Sequence, residues 1–251
     1  MPGEPAPARR IVSVTGNDAL TFLQGLVSND VLTLKKAAGI VWTALLTPQG
    51  KYLADFFVVN TGETLLLDLP ESLADATLRR LSIYRLRANV AIAPSPLPVA
   101  RGIGPAPVGA LQDPRHPALG WRHYGTAGDM AVVDWDAIRV AHTIPETGIE
   151  LIPDDSYLLE CGFDRLHGVD FRKGCYVGQE VTARMRHKTE LRKGLVGVQL
   201  TGAAPVGTPI LSDGKAAGTL YTQSGGYGIA YLRFDRTGTM TAGDAELRIA
   251  P

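Results

Sequence analysis

The chain has 251 residues, and its 25 basic and 25 acidic residues cancel to a net charge of zero. This length fits one large domain or a large and a small one, and the 45% of hydrophobic residues argues against long disorder. Zero net charge gives no global reason to expect a nucleic acid or a membrane surface as partner, and neither is predicted.

The N-terminus and the cysteines bear on the compartment. Residues 1–10 carry prolines where a signal peptide needs an apolar run, so they are predicted to form a disordered tail. Cys161 and Cys175 are too few for a disulfide framework, although a disulfide between them stays open. The predicted location is the cytoplasm, or the mitochondrial matrix if the chain is a mature organellar one.

The first sixty residues alternate between strand and helix patterns. Residues 11–14 predict a strand. Apolar residues at 20, 23 and 27 then recur at helical spacing, which predicts an amphipathic helix that ends near residues 28–30. Strand-like runs at 41–46 and 52–59 flank a segment with proline and glycine at turn positions, which predicts a β-hairpin. Gln49 at its tip is either a solvated turn residue or part of a site.

A third strand is predicted at 65–69, followed by a helix that begins near residue 70. The helix ends in a basic cluster that contains no acidic residue, formed by Arg79, Arg80, Arg85 and Arg87. Such a cluster attracts phosphate or carboxylate if it faces a cleft, and otherwise it is a solvated helix end that complements the helix dipole.

The middle of the chain is less informative. Residues 93–117 are rich in proline, glycine and alanine, and 121–133 and 137–140 are typical of strands or mixed structure. Residues 144–148 form a turn that carries the carboxylate of Glu146, and the acidic start at residue 154 predicts a helix.

The most informative stretch is KGCYVGQE at 173–180, which combines a thiol, a cation, two glycines, an amide and a carboxylate. A buried strand would be apolar and a surface helix would avoid glycine, so a functional loop is predicted. Cations and backbone amides stabilise a thiolate, which makes Cys175 a nucleophile or a soft metal ligand; the alternative is an inert buried thiol. A nucleophile would need a base, which His167 or His187 could supply only through the fold.

The sequence contains neither a CxxC pair nor paired histidines, so one chain alone is a poor host for a metal cluster. If a metal is involved, Cys175 contributes one ligand to a site shared with a partner. The segment 184–193 then carries five basic residues and one acidic residue, which indicates a solvated face or an anionic ligand. From residue 195 onward, short strands separated by glycine-rich turns predict a small barrel or sandwich.

Five segments in order resemble the YgfZ-type folate-binding family, which includes mitochondrial iron–sulfur assembly factors and shares a fold with the aminomethyltransferase of glycine cleavage. The segments are VTGNDALTFLQGLVSNDV, TALLTPQGKYLADFFVV, YRLRANVAI, IPETG and HGVDFRKGCYVGQEVTARMRHK. The resemblance covers about residues 11–235.

The resemblance implies an α+β fold, in which two related α/β (ferredoxin-like) halves form a folate-binding channel and a small C-terminal β-barrel follows. The implied bounds are 11–193 for the folate-binding domain and 194–251 for the barrel. Tetrahydrofolate is the implied cofactor, and an iron–sulfur cluster would be shared with a partner through Cys175. Iron–sulfur carrier or client proteins are the implied partners.

The resemblance also implies site residues, which are carried over by position. Cys175 and Lys173 would act chemically, and Gly174 is carried over only as a residue of the motif. The residues implied to bind the cofactor are Glu146, which would address the pterin ring, Arg87, which would suit the glutamate tail of folate, and Tyr176, Gly178, Gln179, Glu180, Gln49 and Asp55.

One departure from the aminomethyltransferases bears on activity. They carry tandem acidic residues after the hairpin tip, whereas this chain has Ala54 and Asp55. A carboxylate lost where charge develops costs several kcal/mol of transition-state stabilisation. Aminomethyl transfer is therefore disfavoured. The function that the resemblance implies is that of a tetrahydrofolate-binding accessory factor for the assembly or repair of iron–sulfur proteins, especially 4Fe–4S proteins, acting through Cys175. The alternatives are a folate-dependent one-carbon (aminomethyl) transferase or demethylase, and a protein that only sequesters folate.

Overall fold

The computed structural model describes residues 3–6, 8–129, 133–188 and 190–250. The chain divides into two compact units. Unit 1 comprises Met1–Val133 and Asp164–Val181, and unit 2 comprises Asp134–Phe163 and Thr182–Pro251. Within the described part of the chain, no helix is both long and apolar enough to cross a membrane.

In the described part of unit 1, the α-helices α1 (Ala19–Gln24) and α2 (Glu71–Arg85) accompany nine strands. The strands are β1 (Glu4–Pro5), β2 (Arg9–Thr15), β3 (Gly39–Leu46), β4 (Tyr52–Asn60), β5 (Leu65–Pro70), β6 (Ala91–Pro94), β7 (Val99–Gly102), β8 (Leu111–Gln112) and β9 (Trp121–Tyr124). They form a five-stranded sheet in the order β3-β4-β5-β2-β6 and a four-stranded sheet in the order β1-β7-β9-β8, both antiparallel.

These elements confirm most local predictions for the first half. The predicted hairpin is the β3–β4 pair, and the strand at 65–69 and the helix after it are β5 and α2. The first helix is shorter than predicted because it ends at Gln24, where Gly25 follows. Glu4 and Pro5, which fall within the predicted tail, pair with Arg101 and Ala100 of β7.

The five-stranded sheet buries both of its faces by different means. On one face, alternate apolar residues such as Val58 and Leu67 form a core with Leu23 of α1 and Leu81 of α2. On the other face, Asp68 of β5 has a side chain that is 0% exposed. A buried carboxylate requires charged or hydrogen-bonding partners, and the second sheet supplies two of them.

Three donors surround the Asp68 carboxylate. Arg9 Nε donates to Oδ1 at 2.6 Å, while Arg122 Nη2 and the Tyr124 hydroxyl donate to Oδ2 at 2.7 and 2.8 Å. The Arg122 guanidinium also lies 4.5 Å from the centroid of the Phe57 ring. Burial alone raises the pKa of Asp68, but the two arginines and these hydrogen bonds outweigh it and lower the pKa to about 2. Asp68 therefore joins the two sheets as a buried, ionised group.

Unit 2 consists of α3 (Trp135–His142), a loop segment and a closed barrel of six strands. The strands are β10 (Lys193–Thr201), β11 (Pro209–Ser212), β12 (Lys215–Ser224), β13 (Tyr227–Arg233), β14 (Met240–Ala242) and β15 (Ala245–Ile249), closed in the order β10-β13-β12-β11-β14-β15. Helix α4 (Gln179–Lys188) contains the division between the units. The α+β class and the C-terminal barrel are thus confirmed, whereas the exact bounds 11–193 and 194–251 stay a prediction.

Two local predictions for the middle of the chain are wrong. Residues 137–140 lie in helix α3, whose first turn is capped by the Asp134 carboxylate accepting from the Ala137 amide at 2.8 Å. The helix predicted from residue 154 is absent from this described segment, because Asp154 takes a left-handed conformation with φ of 61°. Of the stretch 121–133, predicted as strand or mixed structure, residues Trp121–Tyr124 form β9, while residues 130–132 lie outside the described residues.

Candidate functional site

The chain that leads into the KGCYVGQE motif is tied to the segment that follows α1. Asn29 Nδ2 donates to the His167 carbonyl at 2.6 Å, and Ser28 Oγ donates to the Gly168 carbonyl at 2.7 Å. The Asp170 amide donates to the Ser28 carbonyl at 3.1 Å. Segments that are about 140 residues apart in the chain are therefore held together by direct hydrogen bonds.

Lys173 continues this attachment from inside the protein. Lys173 is 8% exposed. Its Nζ donates hydrogen bonds to the carbonyls of Gln24 at 2.7 Å, Asn29 at 3.0 Å and Val27. An ammonium group has three N–H donors, so each one finds a carbonyl where the chain leaves α1. The observed contacts are those of a positioning residue, and the chemical role predicted for Lys173 stays a prediction.

The electrostatics of Lys173 are compatible with this role. Burial lowers its pKa to about 8, and the charges of Asp30 and Asp170 oppose that shift. The group therefore remains mostly protonated at pH 7 and can serve three acceptors. The Tyr176 ring, with its centroid 4.9 Å from Nζ, adds a cation–π contact.

The other end of the motif loop rests on the tip of the β3–β4 hairpin. Gly178 has φ of 83°, and a Cβ atom there would lie 2.6 Å from the Thr47 carbonyl oxygen and 2.8 Å from Leu46 Cβ. Gly50 has φ of 75°, and its Cβ would lie 2.8 Å from Val181 Cβ. Both positions combine a left-handed backbone with a contact too close for any side chain, which explains the two glycines.

Cys175 lies between these two attachments and is exposed. Among the described residues of unit 1 it makes no hydrogen bond, so His167 is not bonded to it as a base, and a role for His187, which belongs to unit 2, stays a prediction. The alternative of an inert buried thiol is therefore wrong for Cys175 and instead describes Cys161, which is 1% exposed and whose pKa burial raises to about 12. The fold thus exposes the Cys175 thiol on a loop that is held at Lys173 and at Gly178.

Several predicted site residues accompany the thiol in unit 1. Tyr176 is buried, and its amide donates to Gln179 Oε1 at 3.3 Å, so Gln179 closes the loop at the start of α4. Glu180 is exposed on the first turn of α4, and Gln49 is exposed at the hairpin tip beside Gly50. Loop and tip are thus brought together, although what the exposed side chains bind stays a prediction.

Asp55 and Arg87, also predicted to bind the cofactor, lie in different surroundings. Asp55 is 6% exposed, and it accepts hydrogen bonds from Trp42 Nε1 at 2.8 Å and from the Tyr52 hydroxyl at 2.7 Å. Its carboxylate is therefore engaged by the fold on both oxygens. Arg87, by contrast, is exposed on the loop after α2, with its guanidinium available to an anion.

Glu146 belongs to unit 2, where a buried network supports it. Its carboxylate is 41% exposed and lies 3.8 Å from Arg139 Nε. Its amide donates at 2.9 Å to Glu150, whose side chain is 0% exposed and which also pairs with Arg139 and accepts from the Thr222 hydroxyl. Sequence reasoning missed Arg139, Glu150 and Thr222. The sequence signal that could have indicated a buried, paired carboxylate was the position of Glu150 between the apolar residues Ile149 and Leu151.

Replacing Gly178 by alanine is expected to disturb the loop without touching the thiol. The added methyl group must move the hairpin tip or the loop, and the backbone strain adds about 1–3 kcal/mol of destabilisation in urea unfolding. Gly174→Ala is the matched control for stability, because nothing lies within 4 Å of its Cβ position and its φ is not positive. Equal stability of the two variants would contradict the close contact at Gly178.

Among the described residues, no three His, Cys, Asp or Glu side chains are grouped so that they could hold a metal ion. Residues 192–251 match the family described as CAF17, C-terminal beta-barrel domain. This stretch contains the barrel strands β10 to β15, so the family match covers the barrel.

Three relatives match over most of the chain. The chain is 30% identical to the mouse (Mus musculus) protein named iron–sulfur cluster assembly factor IBA57, mitochondrial, over 90% of this chain and 75% of that protein. The human (Homo sapiens) counterpart is also 30% identical, over 89% and 75%. The homologue from the fungus Pyricularia oryzae is 30% identical over 97% and 69%.

Among solved structures, aminomethyltransferase T of the glycine cleavage system from Bartonella henselae is similar, with a TM-score of 0.76. The likeness covers 97% of this chain and 82% of that one. At 14% sequence identity it shows the fold alone.

Proposed function

Because the chain belongs to the family of the iron–sulfur cluster assembly factor IBA57, we propose that it is an accessory factor in the assembly or repair of iron–sulfur proteins, especially those with 4Fe–4S clusters. The membership confirms the resemblance recognised in the motifs. The observation that carries the proposal is the exposed thiol of Cys175 on a loop that is fixed at both ends.

Cys175 acts as a thiolate towards a cluster that is cargo rather than a resident cofactor. A thiolate is a soft ligand that iron–sulfur clusters prefer, and a single exposed one can complete a coordination shell whose other ligands come from a carrier or client protein. The chain's remaining task is to hold that sulfur still. Lys173 fixes the loop to the end of α1, and Gly178 fixes it to the hairpin tip. Fixed geometry lowers the entropy lost when a partner docks.

Tetrahydrofolate is part of the proposal as the bound cofactor. In unit 1, the exposed guanidinium of Arg87 suits the carboxylates of a glutamate tail. The pterin contact of Glu146, which belongs to unit 2, stays a prediction. Asp55 does not fit, since Trp42 and Tyr52 already occupy its oxygens. The folate would supply a one-carbon carrier at the site.

A folate-dependent aminomethyl transferase is less well supported. Such a transferase would need a carboxylic acid side chain in β4, after the hairpin tip. Position 54 is alanine and carries no acid, and Asp55 is buried and hydrogen-bonded to Trp42 and Tyr52. That alternative stays a prediction without a supporting observation of its own. The names of the relatives assign them to mitochondria, which supports the matrix rather than the cytoplasm for this chain.

Replacing Cys175 by serine is expected to abolish the recovery of cluster-enzyme activity in cells that lack the native gene. Serine keeps the size of the side chain but gives a much weaker ligand for iron. Cys161→Ala is the matched control, because it removes a buried thiol and should leave recovery intact. The measurement is aconitase-type 4Fe–4S enzyme activity at equal protein level. Full recovery with Cys175→Ser would falsify the role of the thiol.

A further inference from the structure

The C-terminal end of α2 carries an exposed patch that the proposed function does not use. It consists of Arg79, Arg80, Ile83, Tyr84 and Leu86, called here the α2 patch. Ile83 is 72% exposed and Leu86 is 88% exposed, while Tyr84 is 36% exposed. Arg79 with Ile83, and Arg80 with Tyr84, are four residues apart, so each pair places a cation beside an apolar side chain.

Leu86 is unusual in its backbone as well as in its exposure. It follows the last residue of α2 with φ of 44° and ψ of −108°, a conformation that favours glycine and costs a branched side chain stability. Its side chain buries almost nothing in return. Neither the turn nor the packing of this chain therefore accounts for a leucine at this position.

The arginines of the patch differ from the seven arginines that follow. Arg9, Arg10, Arg101, Arg115, Arg122, Arg139 and Arg233 each pair with a carboxylate. Arg79 and Arg80, within the part of the chain that the structure describes, form no ion pair and no side-chain hydrogen bond. No acidic residue occurs between residues 79 and 92. Within residues 79–92 the patch thus carries positive charge beside apolar side chains, without an acidic residue in the same stretch.

From these features we propose that the α2 patch docks an iron–sulfur carrier or client protein through carboxylates that pair with the arginines and an apolar pocket that receives Ile83 and Leu86. This proposal rests on the proposed function only for the choice of partner. Arginine and tyrosine are enriched at the hot spots of protein interfaces, and a planar guanidinium group can form two parallel hydrogen bonds to one carboxylate. Ile83 and Leu86 add exposed apolar surface between these residues.

An anionic lipid surface is the less suitable occupant. Membrane-surface helices present a long apolar face flanked mainly by lysine and arginine, whereas the α2 patch offers two strongly exposed aliphatic side chains at one helix end. The patch contains no lysine. Its size and composition fit a compact protein contact.

The experiment measures binding of a purified iron–sulfur carrier protein of acidic net charge by titration calorimetry at low and moderate salt. The variants are Leu86→Gly, Ile83→Asp and Arg79→Glu. The controls are Val108→Asp, at an isolated side chain that is 99% exposed, and Arg248→Glu on β15. Each patch variant is expected to bind about tenfold more weakly, and the controls within about twofold of the original chain. Affinity should also fall as salt increases.

Leu86→Gly separates docking from folding. Glycine relieves the backbone strain, so this variant is expected to unfold at a temperature about 2 °C or more higher while it binds more weakly. Unchanged affinity of Leu86→Gly and Arg79→Glu, or no binding by the original chain, would overturn the proposal. Patch-dependent binding to phosphatidylserine vesicles, with carrier binding unaffected, would overturn it in favour of a membrane.

The failures of the two proposals can be told apart. Cys175→Ser leaves the α2 patch intact, so carrier binding within about threefold of the original is expected even where cluster-enzyme recovery is lost. Patch variants that bind normally would remove the docking surface and leave the thiol's role standing. Recovery of enzyme activity by Cys175→Ser would remove the role of the thiol and leave the docking surface standing.

Discussion

Replacing Asp68 by alanine is expected to lower the free energy of unfolding by about 3–5 kcal/mol, because it leaves the buried guanidinium of Arg122 without its counter-charge. The Arg122 side chain is 5% exposed, so water cannot replace the lost carboxylate without opening the contact between the two sheets. Arg9 and the Tyr124 hydroxyl lose the same acceptor. Urea unfolding followed by tryptophan fluorescence measures the change.

Asp75→Ala is the matched control for this experiment. Asp75 also pairs with an arginine, Arg10, but its side chain is 75% exposed. Removing such a surface pair should change the free energy of unfolding by less than about 1 kcal/mol. A result for Asp68→Ala as small as the result for Asp75→Ala would mean that the cluster does not join the sheets.

The Asp68 carboxylate also makes the free energy of unfolding depend on pH, and its lowered pKa fixes the direction of that dependence. The pKa of Asp68 is about 2 in the folded protein and 3.8 as its ordinary value. The contribution of Asp68 to the free energy of unfolding is therefore fully present above about pH 4. It is lost as the pH falls towards 2, and the free energy of unfolding decreases by about 2 kcal/mol in total. The difference in stability between the original chain and Asp68→Ala should shrink over this window and stay constant above it.

The sequence predicted those parts of the fold that local patterns specify. The β3–β4 hairpin has a turn with Pro48 and Gly50 between two apolar runs, and the barrel strands are separated by glycine-rich turns. Helix α3 was missed because Ile138 and Val140 are β-branched and favour strands. The better signal was Asp134, a residue type that caps helices, in the position where it does so.

The candidate site was only partly predictable, for a different reason. The exposed thiol of Cys175 follows from its polar, glycine-rich surroundings, which are local. The burial of Lys173 does not follow from local sequence, because its hydrogen-bond acceptors are residues about 145 positions earlier in the chain. Glu150 likewise accepts from Thr222, which lies 72 residues later in the chain. Long-range partners of a charged residue cannot be read from its neighbours in sequence.

Replacing Lys173 by methionine is expected to release the motif loop while leaving Cys175 in place. Methionine approximates the length of the lysine stem, so the change removes mainly the ammonium group and leaves three carbonyls at the end of α1 without their donors. Unsatisfied buried acceptors cost about 1–3 kcal/mol each, offset in part by water that enters. We expect a loss of about 3 kcal/mol in the free energy of unfolding and little recovery of cluster-enzyme activity.

Hydrogen exchange distinguishes this local release from general destabilisation. In Lys173→Met, amides of residues 170–178 should exchange at least about tenfold faster, while strands of the barrel in unit 2 keep their protection. Lys36→Met, at an exposed lysine, is the control and should change neither. If Lys173→Met kept both the slow exchange and the activity recovery, the ammonium would not be what holds the loop. Loss of activity with faster exchange and an intact thiol would mean that the position of the sulfur, and not its presence alone, is what the fold provides.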